Sequence, residues 1–188
     1  MLKDLCKQIL PKVDKGDTPY YLLHIGATYR DFGNWDEAER YYQDALAIAQ
    51  EQDDKSLIAG IQGLLGYIER NRGNWEEAER LYRQSLEVET QLGDREGIAT
   101  SIGCLGEIEM LRGNLDAAEP LIKDAMTQLQ KLGQTAKVAE SYYDLARLER
   151  KRNNTELAQQ HYNTAHQIFQ QLGAAKDLER IEREWQSD

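Results

Sequence analysis

One short stretch recurs along this chain at a fixed interval and limits what the chain can fold into. Gly73-Asn74-Trp75-Glu76-Glu77-Ala78-Glu79-Arg80 has a close copy 40 residues upstream, Gly33-Asn34-Trp35-Asp36-Glu37-Ala38-Glu39-Arg40. A third copy reads Gly113-Asn114-Leu115-Asp116-Ala117-Ala118-Glu119, and a worn fourth Asn153-Asn154-Thr155-Glu156-Leu157-Ala158. A period of this size marks an array in which each unit buries its apolar face only against its neighbours. Within the stretch, the residue types suit a tight turn between two helices. Glycine tolerates the left-handed conformation just past a helix, and Asn153 is the usual substitute there. The asparagine that follows is expected to cap the next helix through its side-chain oxygen, with Glu37 or Glu77 completing a capping box.

Read outward from these turns, the chain becomes a series of helix pairs. Repeat 1 (16–53) places helices near 19–32 and 35–51, and repeat 2 (54–93) near 55–71 and 75–91. Repeat 3 (94–133) places them near 95–111 and 115–131, and repeat 4 (134–173) near 136–152 and 155–171. Leu92-Gly93, Leu132-Gly133 and Leu172-Gly173 end the second helices. Residues 1–15 read as an N-terminal helix with Leu2, Leu5, Cys6, Ile9 and Leu10 on one stripe, either a cap or the remnant of a longer array. Residues 174–188 carry Leu178, Ile181 and Trp185 at helical spacing and read as a capping helix. Pro120 falls well inside an expected helix, where it removes a hydrogen bond at a cost of about 3 kcal/mol, so a kink or a late helix start is expected. The expected fold is all-α: a right-handed solenoid of four helix-turn-helix repeats forming one domain over 1–188.

Composition narrows the function. A formal charge of −10 argues against general binding to nucleic acid or an anionic membrane, which both require a basic surface. The chain contains no long apolar run and no signal-peptide pattern, so a cytoplasmic protein is expected. Cys6 and Cys104 lie far apart in no metal or redox spacing. His161 and His166 are off the i,i+4 spacing of paired ligands, and no phosphate-binding glycine loop is present. No catalytic residue, metal site or cofactor is expected.

Inside each repeat, the spacing resembles the tetratricopeptide repeat: large-x2-Leu-Gly-x2-Tyr, then Ala-x3-aromatic. Repeat 1 supplies Leu22, Ile25, Gly26, Tyr29, Ala38 and Tyr42; repeat 2 supplies Leu65, Gly66, Ala78 and Tyr82. Repeat 3 has Leu105, Gly106, Ala118 and Ile122, and repeat 4 has Leu145, Ala146, Ala158 and Tyr162. The 40-residue unit is similar to those of kinesin light chains, spindle-orientation adaptors and the sensor arrays of bacterial signalling ATPases. The pattern departs where tyrosine gives way to Glu69, Glu109 and Glu149, each three residues before Arg72, Arg112 or Arg152. An i,i+3 ion pair repeated at the array's own period is expected there, as a structural ladder.

The resemblance implies a concave groove lined by the first helices and a partner that is a protein or peptide segment. The candidate groove residues are Tyr20, Leu23 and Arg30 in repeat 1, and Gly63, Tyr67 and Arg70 in repeat 2. Repeat 3 offers Gly103 and Glu107, and repeat 4 offers Tyr143, Arg147 and Arg150. Neither the two-carboxylate clamp of cochaperones nor the asparagine ladder of spindle adaptors is matched. Gly60 and Gly63 each cost about 1 kcal/mol against alanine in a helix interior. Gly63 and Gly103 form either a bare trough for a partner or a close packing of adjacent first helices. The basic residues of repeat 4 imply a partner with an acidic or C-terminal carboxylate feature. Two other functions stay open: a self-associating array stacking end to end, and a sensor or regulatory part of a bacterial signalling system.

Overall fold

The computed structural model describes residue 14 and residues 16–187, so most of the expected N-terminal helix, Cys6 included, lies outside the described residues. Among those residues the chain is helical throughout, with no strand. In order the helices are α1 (Thr18–Asp31), α2 (Trp35–Glu51), α3 (Lys55–Arg72) and α4 (Trp75–Leu92). They continue with α5 (Arg95–Leu111), α6 (Leu115–Lys131), α7 (Thr135–Lys151), α8 (Thr155–Leu172) and α9 (Ala175–Ser187). The expected helix pairs are therefore present, with ends within a residue or so of the sequence reading. The chain divides into two compact units, residues 1–92 and 93–188.

The first unit is two antiparallel hairpins, α1–α2 and α3–α4. Its core combines Leu22 and Tyr29 from α1, Tyr41, Tyr42 and Ala45 from α2, Ile61, Leu65 and Ile68 from α3 and Leu81 from α4. The hairpins close tightly because glycine faces a large ring. A Cβ built on Gly26 would lie 2.5 Å from Tyr42 Cε1, and one on Gly66 would lie 2.8 Å from Tyr82 Cε1. The second unit repeats the scheme in α5–α6 and α7–α8, with Gly106 against Ile122. There α9 adds a closing layer through Ile181, which is fully buried with Tyr143, Ala165 and Phe169.

The turns explain the sharp helix ends. Gly73 (φ 83°) and Asn153 (φ 62°) hold the left-handed conformation, so asparagine does replace glycine in the fourth turn. Asp53 (φ 52°) does the same between the first two hairpins, where no glycine marks the site. The expected asparagine caps are not formed: Asn34, Asn114 and Asn154 accept no side-chain capping hydrogen bond. The side chains of Asn114 and Asn154 are drawn backward instead, as is that of Asn74. The Asn114 side-chain amide donates to Glu109 (2.8 Å) and that of Asn154 to Glu149 (3.1 Å), while Asn74 donates to Glu69 (2.7 Å). The backbone N–H of each donates to the carbonyl of the same glutamate at 2.9 Å, which carries the side chain to that carboxylate. Glu37 pairs with Arg40 and Glu77 with Arg80, while the Asn34 and Asn74 N–H groups that a capping box would use donate to the Tyr29 and Glu69 carbonyls. True side-chain caps occur at the first helices of repeats 2 and 3, where Asp54 accepts from the Leu57 N–H and Asp94 from the N–H groups of Glu96 and Gly97.

Pro120 sits inside an unbroken α6 that begins at Leu115, so there is no late start. The i,i+3 pairs form as expected: Arg72–Glu69 at 2.7 Å, Arg112–Glu109 at 3.2 Å and Arg152–Glu149 at 3.0 Å. They also do more than the spacing indicates. Arg72 reaches across to Asp36 (2.6 Å) and Glu39 (2.7 Å) of α2, and Arg152 to Asp116 (2.7 Å) and Glu119 (2.6 Å) of α6. One guanidinium thus ties successive hairpins together within each unit. Hydrogen bonds to Glu119 and then Asp116 hold Arg152 above its usual pKa, and Lys123 and Arg152 hold the Glu119 carboxyl below its own.

Candidate functional site

In the first unit, the predicted residues of α1 and α3 lie where helical periodicity puts them. Gly60, Gly63, Tyr67 and Arg70 follow one stripe of α3, and Tyr20, Leu23 and Arg30 follow one stripe of α1. Tyr20 is 49% exposed, and Leu23 packs its half-buried side chain against the unit's core. Tyr67 is the centre of the arrangement. The Arg70 guanidinium lies 4.6 Å from its ring centroid, that of Arg30 lies 5.8 Å away, and the Trp35 indole sits at 6.1 Å. Arg30 donates from Nε and Nη2 to one oxygen of Asp31, at 3.2 and 2.9 Å. Burial, the largest influence, works against its charge, but the Asp31 hydrogen bond together with the Tyr42, Asp31 and Tyr67 electrostatics raises the pKa.

The glycines of this face have an unexpected neighbour. A Cβ on Gly63 would meet only Ser85 Oγ of α4, at 3.9 Å, and one on Gly103 only Ala125 Cβ of α6, at 3.4 Å. Both face the second helix of their own hairpin at ordinary contact distance, so close packing of adjacent first helices is not their reason. A Cβ on Gly60 would meet nothing within 4 Å.

In the second unit, the predicted basic cluster is spoken for. Arg147 pairs with Glu107 at 3.0 Å and Asp144 at 3.3 Å, which raise its pKa despite burial. Tyr143, expected on an open face, is only 1% exposed, with Arg147 and Arg180 at 5.9 and 5.7 Å from its ring. Burial pushes its hydroxyl well above the usual phenol range, with the Glu184 carboxylate adding to the shift. Arg150 stacks on the Trp185 ring at 4.4 Å and donates to the Trp185 carbonyl at 2.9 Å. Trp185 in turn stacks on Tyr162, with ring centroids 4.6 Å apart, and Arg180 holds both oxygens of Glu140. The capping helix was expected; its coverage of the α7 side chains was not, because nothing in the spacing shows which face it lies on.

The residues weighed for chemistry are placed otherwise. His161 packs by Tyr142, and burial lowers its pKa; His166 lies 2.8 Å from Glu182. Cys104 is half-buried. Among the described residues there is no group of three potential ligands that could hold a metal, and no helix is long and apolar enough to cross a membrane.

A tetratricopeptide-repeat family model matches residues 17–91 and 97–171, and the chain belongs to that family. No curated protein sequence matches it. Among solved structures, BtubC from P. vanneervenii superposes with a TM-score of 0.71 at 20% identity, over 91% of this chain and 73% of that one. A Rap protein complexed with Competence and Sporulation Factor gives 0.79 at 14% identity, over 98% of this chain and 55% of that one. A Signal Transduction ATPase with Numerous Domains from Pyrococcus horikoshii, which carries a tetratricopeptide repeat sensor, gives 0.67 at 20% identity. The present chain covers 95% of itself in that match but 28% of the ATPase, and about half of the Rap protein. Identities this low establish the shared fold.

Proposed function

We propose that this chain is a non-catalytic interaction scaffold that receives a polypeptide segment on the first-helix face of its first unit. The observation that carries the reading is the surface of α3. Gly60 forgoes about 1 kcal/mol of helix stability relative to alanine, yet a Cβ there would meet nothing within 4 Å. Packing therefore gives no reason for bare backbone at this point, whereas close approach by another chain does. Tyr67, Arg30 and the exposed Tyr20 border the stripe, and tyrosine and arginine are the residue types enriched at binding hot spots. The Rap structure, complexed with Competence and Sporulation Factor, and the ATPase with its repeat sensor are consistent with the same use of the fold.

The test is site-specific photo-crosslinking in cells with the full chain. A photoreactive residue at Tyr20 or Gly60 should trap a partner, and one at Arg83, an exposed second-helix position, should not. Trapping only from Arg83 would remove the first-helix face as the contact surface.

A further inference from the structure

The first helix of the first unit is open on a flank that its later counterparts bury. In α3 the stripe of Ile61, Leu64, Ile68 and Arg72 belongs to the contact with α2. Ile61 and Ile68 are fully buried there, and Arg72 reaches Asp36 and Glu39. In α7 the same places hold Ser141, Asp144, Leu148 and Arg152. Leu148 is fully buried, and Arg152 bonds to Asp116 and Glu119 of α6. The matching stripe of α1, 40 residues before that of α3, is Tyr21, His24, Thr28 and Phe32. Here Tyr21 is 46% exposed, Phe32 is 81% exposed, and His24 is exposed as well. A repeat array buries such a flank under the second helix of a preceding hairpin.

The sequence ahead of α1 has the pattern of that missing layer. All four second helices bury two places, Ala45 and Ala49 in α2 and their equivalents, and expose two others, Gln43 and Ala47 with theirs. Forty residues ahead of α2, the two buried places read Leu5 and Ile9, and the two exposed places read Lys3 and Lys7. Apolar side chains thus fall where every repeat is buried, and charges where every repeat is wet. The junction is in register too. Asp14 matches Asp54 and Asp94, the residues that cap α3 and α5. Its carboxylate accepts from the Gly16 N–H at 3.4 Å, as that of Asp94 accepts from the Glu96 N–H at 3.2 Å.

We propose that residues 1–13 lie along the Tyr21, His24 and Thr28 flank of α1 in the manner of a second helix, with Leu5 and Ile9 turned inward. Lys3 and Lys7 then face water, and Leu10, in register with the exposed Gln50, stays outside the contact. The segment covers α1 as α9 covers α8 at the other end of the chain. Tethering selects this occupant over a second copy. A segment joined to α1 through Asp14-Lys15-Gly16-Asp17 acts at an effective concentration of about millimolar, which a free copy must match in solution. The flank is a different side of α1 from the stripe of Tyr20, Leu23 and Arg30, so this inference and the scaffold reading stand or fall separately.

The experiment is photo-crosslinking of the purified full chain carrying benzoylphenylalanine at Tyr21. The expected product is a single chain, linked internally to residues 1–13 as mapped by mass spectrometry. Its yield should stay constant over about a hundredfold dilution, because the contact is intramolecular. Leu5→Asp with Ile9→Asp should cut the yield at least about tenfold, while Lys3→Gln with Lys7→Gln leaves it unchanged. The reciprocal probe, benzoylphenylalanine at Cys6, should crosslink to α1 without altering the helix it reports on. A dimer-sized product that grows with concentration would overturn the inference in favour of a second copy. Products mapped only beyond residue 13, no product from either probe, or indifference to Leu5→Asp with Ile9→Asp would each overturn it as well.

Discussion

Three glycines within two turns of α3 should respond to alanine with different signs. Each change gains about 1 kcal/mol of helix propensity. At Gly60 nothing lies within 4 Å of the new methyl, and at Gly63 the only neighbour is Ser85 Oγ at 3.9 Å, so the gain stands. At Gly66 the methyl would sit 2.8 Å from Tyr82 Cε1, 3.0 Å from Cδ1 and 3.2 Å from Cζ. Real Cβ atoms do not approach so closely, and Tyr82 is 1% exposed, with no room to swing aside. Overpacking of that kind costs about 1–3 kcal/mol, which cancels or exceeds the propensity gain. Gly66→Ala should therefore fall below Gly60→Ala by about 1–3 kcal/mol, or about 2–12 °C in melting midpoint for a chain of this size. Circular dichroism at 222 nm on the three single variants reads the ranking directly. A Gly66→Ala protein that melts at or above Gly60→Ala would refute the packing account of the hairpins. A Gly60→Ala protein that melts below the parent would refute the claim that this stripe is open.

Four further outcomes follow from the same contacts. Tyr42→Phe should leave the urea midpoint unchanged or slightly higher, since the hydroxyl it deletes makes no hydrogen bond; a loss above about 1 kcal/mol would reveal a partner. Arg152→Gln removes the bridge from α7 to Asp116 and Glu119 and should lower the melting midpoint, with a deficit that shrinks in 1 M salt. Trp185→Ala should cost roughly 2 kcal/mol, because a half-buried ring loses its stack on Tyr162 and its contact with Arg150; proteolysis of α9 should quicken in step. The lowered pKa of His161 means that the unfolded chain binds the extra proton first, so its contribution is complete above about pH 6.5. That contribution is lost as pH falls from there through the folded value. Urea midpoints at pH 7.5 and 5.5 should differ less in His161→Asn than in the parent.

The hairpins were legible because the turns announce themselves. A glycine or asparagine in the left-handed region at Gly73 or Asn153 ends one helix whatever the rest of the chain does, so helix ends could be read locally. The repeat spacing marks Gly66 and Tyr82 as pattern positions, and the structure shows that they meet. What escaped were contacts decided by a third element. Asn114 carries the side chain of a helix cap, yet the Glu109 carboxylate behind it competes and wins. Arg72 announces a local pair with Glu69, but its reach to Asp36 depends on how the preceding hairpin is laid against it. Tyr143, Arg147 and Arg150 read as an open basic surface because their spacing on α7 is right, and only the placement of α9 shows that Tyr143 and Arg150 are covered.

Equivalent register positions carry different chemistry in the two units, and this bears on the proposed site. In the second unit, charges one repeat apart have opposite signs and meet: Glu107 with Arg147, and Glu140 with Arg180. Each carboxylate there already has an internal cation, and a ligand carboxylate would have to displace it. In the first unit, Arg30 and Arg70 stand one repeat apart with the same sign and cannot neutralise each other. Tyr67 occupies the register position that Glu107 holds in the second unit, and both guanidiniums turn to its ring. A ring face attracts cations without consuming their hydrogen-bond donors as a carboxylate would. Substituting Tyr67→Glu would thus place in the first unit the carboxylate that Glu107 supplies in the second. It should weaken partner crosslinking from Tyr20 and Gly60 while preserving helicity at 222 nm, an outcome that loss of packing alone would not produce.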